Sequence, residues 1–167
     1  MEAPEVWLRG PIDHIPLVLQ PVAHAIVQSG EEVEKLMHGF PDEKLWQRPA
    51  GVASVGFHLQ HLAGVLDRLF TYARGETLTS EQMMYLQNEG IAQAQTVTGR
   101  ELVFAFKHQI ELSLAQLSNT AEASLLNPTT VGRKKLPSTV LGLLFHAAEH
   151  TQRHTGQLLV TVRILTT

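Results

Sequence analysis

The chain has 167 residues, of which 44% are apolar, and this size and composition are typical of a single globular domain over residues 1–167. The absence of cysteine excludes disulfides, thiolate metal sites and a cysteine nucleophile. A net charge of −3 argues against nucleic acid as a partner, and no apolar run reaches the roughly 18 residues that a membrane span needs. We therefore expect a soluble, cytoplasmic protein.

Apolar residues recur at helical spacing through most of the chain, which predicts an all-α fold with four main helices. The first is predicted from about Pro16 to Met37, where Gly39 suits a left-handed cap. The second is predicted from near Ser54, whose hydroxyl can cap the first turn, to about Ala73.

A long connection is predicted after the second helix, from Gly75 to Thr98. It contains a shorter helix, because Thr79 and Gln82 have the spacing of a capping box. The third main helix is predicted to begin at Thr98 and to stop near Asn119. A connection of roughly two dozen residues is longer than adjacent antiparallel helices need, and this favours a crossover between helices two and three.

A polar loop is predicted from Ala121 to Pro137, and the fourth main helix from Ser138, its cap, to about Leu165. The loop contains a basic run at residues 133–135, which we interpret as a solvated surface segment. A lip that attracts an anionic ligand is the alternative. Four amphipathic helices of this length predict a four-helix bundle with one long crossover.

Histidine is the residue type that points to a function, with nine copies in the chain. His150 and His154 lie four residues apart on the fourth helix, about 40° apart in projection, so both rings can reach one point. Leu143 and Leu158 lie on the same side, which predicts that both imidazoles face the interior. A divalent cation would satisfy both rings there. Hydrogen bonds to carbonyl groups or buried water are the alternative.

Two more histidines, His58 and His61, lie on the second helix, and one of them is expected to face the fourth helix. Three imidazoles from two facing helices would leave one coordination position open, as in catalytic zinc sites. His146 extends the row on the fourth helix by one turn. It is expected to support the ligands or to fill the core, since one metal seldom takes ligands from three successive turns of a straight helix.

Three segments carry a resemblance to a known family: residues 46–49, residues 54–64 and residues 150–157. The most specific features are a mid-helix histidine followed by Leu-Ala and the pattern His-x-x-x-His-x-Gly-Gln on the last helix. Together these segments resemble the DinB-like superfamily, four-helix-bundle metalloproteins related to the YfiT-like metal-dependent hydrolases. The resemblance implies an up-down-down-up bundle in which His61, His150 and His154 bind the metal, with His58 as the rival of His61.

The resemblance also implies a divalent ion such as zinc or nickel, frequent homodimers, and a small-molecule substrate. Better-understood members use the metal to activate a low-molecular-weight thiol, such as bacillithiol or mycothiol, so a hydrolase or a thiol S-transferase is expected. A non-catalytic metal-binding stress-response bundle that acts through dimerisation or partner binding is the alternative, and a bundle without metal is a third. Arg153 occupies a position that is often histidine in the family, which changes the edge of the site.

Overall fold

The computed structural model describes residues 3–92 and 97–167, and these residues are mostly helical. None of the described helices is long and apolar enough to cross a bilayer. Within the described residues the chain forms five α-helices and one β-hairpin, in the order α1 (Gln20–Met37), α2 (Val55–Ala73), α3 (Ser80–Asn88), α4 (Gly99–Ser118), β1 (Pro128–Val131), β2 (Leu136–Thr139) and α5 (Val140–Thr166). The prediction of a helical protein is therefore confirmed, apart from the hairpin.

The first helix begins later than the predicted start at Pro16. Residues Leu17–Leu19 form a 3₁₀ turn, and the α-helix begins at Gln20. Pro21 then lies in the first turn of α1, where a missing backbone N–H costs no intrahelical hydrogen bond. The end of the helix agrees with the prediction, because α1 stops at Met37 and Gly39 adopts a φ of +74°.

Capping side chains mark where the second main helix, the short helix and the third main helix begin. The hydroxyl of Ser54 accepts a hydrogen bond from the backbone N–H of Phe57 at 3.2 Å, and α2 ends at Ala73 as predicted. Thr79 and Thr98 both form complete capping boxes, which start α3 and α4. Part of the predicted connection between α2 and α4, residues 93–96, lies outside the described residues.

The polar loop predicted before the last helix contains the hairpin. Strand Pro128–Val131 pairs antiparallel with strand Leu136–Thr139. Each strand has four residues, which is too short for an alternating pattern to stand out in the sequence. The basic run at residues 133–135 lies exposed at the turn of the hairpin, as expected for a solvated surface segment.

Because of the hairpin, the residue that caps the last helix differs from the predicted one. Ser138 was predicted to cap it, but Ser138 belongs to β2 and pairs with Thr129. Thr139 is the cap instead, and its hydroxyl accepts a hydrogen bond from the N–H of Gly142 at 3.0 Å. The predicted end of the helix near Leu165 is confirmed within one residue.

The long helices pack pairwise around one apolar core. Both α1 and α2 contact α4 and α5, whereas α3 lies mainly against α2. Fully buried side chains from all four long helices fill the core, among them Ile26, Leu62, Phe70, Phe106 and Leu158. None of the residues of α3 is buried. The up-down-down-up order and the crossover stay predictions.

Candidate metal centre

Three histidines converge between α2 and α5. His61, His150 and His154 each offer one ring nitrogen, and these three nitrogens lie within 4.8 Å of one another. The ring centroid of His154 lies 4.3 Å from that of His61 and 4.6 Å from that of His150. The structure thus brings together the three residues that the family resemblance implied, and this group could hold a metal ion.

The ring of His61 is held in one orientation by a carboxylate. Its Nδ1 lies 2.7 Å from an oxygen of Glu89, and because a carboxylate only accepts hydrogen bonds, this nitrogen is the donor. A neutral imidazole that carries its proton on Nδ1 has its lone pair on Nε2. That Nε2 lies 2.9 Å from Nε2 of His150. The lone pair of His61 therefore points at the other histidines, as a metal ligand requires.

His58, the rival of His61, has a different histidine as its hydrogen-bond partner. It is only 3% exposed, and its Nδ1 lies 3.2 Å from Nδ1 of His154. Its position is one turn before His61 on α2. Its Nδ1 therefore meets His154, whereas Nε2 of His61 meets His150, although the ring of His61 also lies beside that of His154. Among the described residues His58 is not part of the group of three converging nitrogens. It is placed to orient the ring of His154.

His146 lies at the edge of the centre and not in the core. Its side chain is 47% exposed, and its ring meets that of His150 at a centroid distance of 5.3 Å, nearly edge-on. Each step of four residues rotates a helical row by about 40°, so the row that starts at His154 leaves the interior two turns earlier. The prediction that His146 fills the core is therefore wrong, whereas its contact with His150 agrees with the supporting role.

Burial keeps three of these histidines neutral. It lowers the pKa of His58 and of His150 to about 4 and that of His154 to about 3, with desolvation as the main cause. Electrostatic interaction with His61 lowers each of the three values further. Neutral imidazole is the form that binds metal, so at neutral pH these rings need not lose a proton to become ligands.

The donor set fits a divalent metal ion. Imidazole nitrogen is a ligand for zinc, copper, iron and nickel. In a tetrahedral zinc site, ligand nitrogens lie about 3.4 Å apart, since each is roughly 2.0–2.1 Å from the ion. The spacing of the three nitrogens, within 4.8 Å, reaches that value with small ring rotations. The buried Nδ1 of His150 has no hydrogen-bond partner among the described residues, so no bond at that nitrogen opposes such a rotation.

Sequence reasoning missed two charged residues behind His61. The guanidinium of Arg68 lies 2.5 Å from the second carboxylate oxygen of Glu89, and both side chains are nearly buried, with 9% and 4% exposed. A signal for Arg68 was present, since it lies seven residues, or two turns, after His61 on the same face of α2. Glu89 gave no such signal, because it lies just after α3 in the connection, whose path the sequence did not predict.

Phe57 covers one side of the centre. Its ring stacks on the ring of His61 at a centroid distance of 5.3 Å and an angle of 11°. It also lies 6.3 Å from the ring of His154, measured between centroids. Phe57 thus excludes water from the side of the His61 ring on which it stacks, and this contributes to the desolvation of the rings around it.

A second concave region lies between α1 and α4, away from these histidines. This α1–α4 groove has a volume of about 580 Å³, and its lining includes Phe40, Phe104, Lys107 and two further histidines, His38 and His108. Within the described part of the chain, neither histidine belongs to a group of three metal-ligating side chains.

Comparison with known proteins identifies the family. A structure described as the conserved protein of a locus from Enterococcus faecalis is similar to this fold, with a TM-score of 0.67 and 17% identity over 87% of this chain and 95% of that one. At this identity the likeness concerns the fold alone. Among curated proteins none matches significantly. The model of the DinB superfamily matches residues 25–158, which is most of the sequence, and the chain therefore belongs to the DinB superfamily.

Proposed function

We propose that this chain is a metal-dependent enzyme in which His61, His150 and His154 hold a divalent ion, zinc or nickel. The observation that carries the proposal is the convergence of three imidazole nitrogens from two helices. Three protein ligands leave one coordination position open, which is typical of catalytic and not of structural sites. When bound, such an ion acts as a Lewis acid that activates water or a low-molecular-weight thiol.

The residues around the ligands support this function in three ways. The hydrogen bond from His61 to Glu89 directs the lone pair of His61 towards His150. The lowered pKa values of His150 and His154 keep both rings neutral. Phe57 shields one side of the His61 ring. The open position is thus left to a small-molecule substrate, and the reaction is of the hydrolase or the thiol S-transferase type.

A homodimer with an up-down-down-up bundle is part of the proposal, because the resemblance to the family implies both. The same resemblance suggests bacillithiol or mycothiol as the thiol that such a centre would activate. Water attack on an electrophilic substrate would make the protein a hydrolase, whereas attack by the thiol sulfur would make it a transferase. Tight binding of a low-molecular-weight thiol to the metal-loaded protein would favour the transferase.

A non-catalytic metal-binding bundle, with a stress-response role through dimerisation or partner binding, is the second candidate. The position of His58 favours it, because its Nδ1 lies only 3.2 Å from Nδ1 of His154. A rotation of both rings could turn His58 into a fourth ligand. Four protein ligands would close the coordination sphere, as in structural zinc sites, and the bound ion would then stabilise the fold.

Elemental analysis of protein purified without an affinity tag tests the proposal. We expect about one equivalent of metal in the unaltered chain, loss of the metal in His61→Ala, and retention in His58→Ala. X-ray absorption spectroscopy of the loaded protein should then count three imidazole ligands and one exchangeable light-atom ligand. Four imidazoles would support the non-catalytic candidate, and metal retained in His61→Ala would contradict the proposed ligand set.

A further inference from the structure

The structure points to Glu89, held by Arg68, as a positioning residue that orients His61 and thereby sets the metal affinity of the centre. The inference rests on the proposed function and deepens it. It adds residues after α3 to the metal centre, although no described residue of the connection belongs to the group of converging nitrogens. Three observations support the inference: a chain of buried polar contacts, the direction of the hydrogen bond to His61, and the hydrogen bonds that hold residues near Glu89 against α2.

The first observation is that one carboxylate joins a guanidinium to an imidazole. One oxygen of Glu89 lies 2.7 Å from Nδ1 of His61, and the other lies 2.5 Å from Nη1 of Arg68. The carboxylate is only 4% exposed, so little water competes with either contact. With both oxygens engaged, the carboxylate cannot rotate away from the imidazole without leaving the buried charge of Arg68 unpaired, which is costly.

The second observation is the direction of the hydrogen bond. Glu89 accepts from Nδ1 of His61, so the proton stays on Nδ1 and the lone pair stays on Nε2, the nitrogen that faces His150. A carboxylate in this position also makes the imidazole a stronger ligand. Loss of such a partner typically lowers metal affinity by about 10- to 100-fold.

The third observation is that Tyr85 and Gly90, on either side of Glu89 in the sequence, form hydrogen bonds with Gln60, the neighbour of His61 on α2. The hydroxyl of Tyr85 donates to the carbonyl of Gln60 at 3.0 Å, and the N–H of Gly90 donates to its side-chain oxygen at 2.8 Å. These contacts stand on either side of Glu89 and hold its carboxylate beside His61.

The path of the chain after Glu89 also requires a glycine. Gly90 has a φ of +80°, and a Cβ atom at this position would lie 2.9 Å from the ring of Phe57. Any other residue would strain the backbone and press on the ring that covers His61. The positions of Glu89 and Phe57 are therefore linked through Gly90.

The variant Glu89→Gln tests the inference, with the zinc ion alone as the probe. Competition with a chromophoric chelator measures zinc affinity, and we expect it to be about 10- to 100-fold weaker than in the unaltered chain. Long-range ¹H–¹⁵N spectra of the metal-free protein report the tautomer of His61. We expect an Nδ1–H form in the unaltered chain and a mixture of tautomers in Glu89→Gln, a change that a merely structural role would not produce.

A matched control separates the role of Glu89 from the packing of α3 against α2. Gln82→Ala removes the capping box of α3 and the hydrogen bond to Thr71, but it does not touch Glu89 or His61. We expect this variant to keep the tautomer of His61 and to bind zinc within about twofold of the unaltered chain. An equal loss of affinity in Gln82→Ala and Glu89→Gln would overturn the specific role of Glu89.

A double variant guards against misfolding, because Glu89→Gln leaves the buried guanidinium of Arg68 unpaired. Arg68→Met combined with Glu89→Gln removes both charges, and it should fold while showing the same loss of zinc affinity. Folded variants with unchanged affinity and an unchanged tautomer would overturn the inference. Failure of the unaltered chain to bind zinc would instead overturn the proposed function, and the two failures are therefore distinguishable.

Discussion

The metal centre and the α1–α4 groove both contain histidines, but their surroundings differ. In the metal centre the rings of His61, His150 and His154 touch one another, and burial lowers the pKa values of two of them. In the groove, Lys107 and Glu34 form an ion pair at the surface, and their side chains are 44% and 57% exposed. Convergence and desolvation, and not the volume of a concavity, therefore distinguish the chemical site in this molecule.

The difference comes from the neighbours of each region. The candidate metal centre lies between α2 and α5, where the carboxylate of Glu89, the guanidinium of Arg68 and the ring of Phe57 lie around His61. The groove lies between α1 and α4 and opens to solvent, where water screens each charge. Four experiments test whether the two regions differ in this way.

Removal of a histidine should have the largest effect. His150→Ala and His154→Ala should each lose the bound metal while they retain helicity, because each removes one of three ligands. His108→Ala, in the groove, should retain both metal and helicity. Elemental analysis and circular dichroism measure the two quantities, and equal metal content in the three variants would contradict the assignment of the centre.

Truncation of the core phenylalanine of α4 should have the next largest effect. Phe106 is fully buried, whereas Phe104, two residues earlier, is 72% exposed at the groove. Phe106→Ala should lower the free energy of unfolding by about 3–5 kcal/mol. Phe104→Ala should change it by less than about 0.5 kcal/mol. Urea denaturation measures both values, and similar losses would mean that the groove is part of the core.

Acid should destabilise the metal-free protein through the centre. The pKa values of His58 and His150 are lowered from 6.5 to about 4, so between these values the unfolded chain binds more protons than the folded one. Stability should therefore fall as the pH drops below about 6.5 and should keep falling towards pH 4. Thermal melts across this range measure the effect. The control variant His108→Gln, in the groove, should show the same loss of stability with falling pH. A stability that does not change between pH 6.5 and pH 4 would contradict the prediction.

Removal of an ion pair in the groove should have the smallest effect. Nζ of Lys107 lies 2.7 Å from a carboxylate oxygen of Glu34, and both side chains are half exposed. Exposed pairs contribute little, so Glu34→Gln should lower stability by less than about 1 kcal/mol and should leave metal content unchanged. A thermal melt with elemental analysis checks both expectations. A loss of metal would show that the groove and the metal centre are coupled.

Much of the fold could be predicted because its determinants are local. Helical periodicity predicted the long helices, and caps such as Ser54 and Thr98 predicted where two of them begin. The hairpin was missed because it has four residues per strand. Its pairing depends on the turn and on packing beside α2 and α5, neither of which leaves a periodic signal.

In the candidate site, too, the local features could be predicted from the sequence, whereas the contacts between distant segments could not. The spacing of His150 and His154 was enough to place them on one helical face, because four residues make about one turn of any α-helix. The residues of α2 left His58 and His61 as alternatives, and the packing of α2 against α5 brings His61 into the group of three while His58 meets His154. The tertiary structure also brings Glu89, from a separate segment, to His61, because contacts between distant segments arise only when the chain is packed.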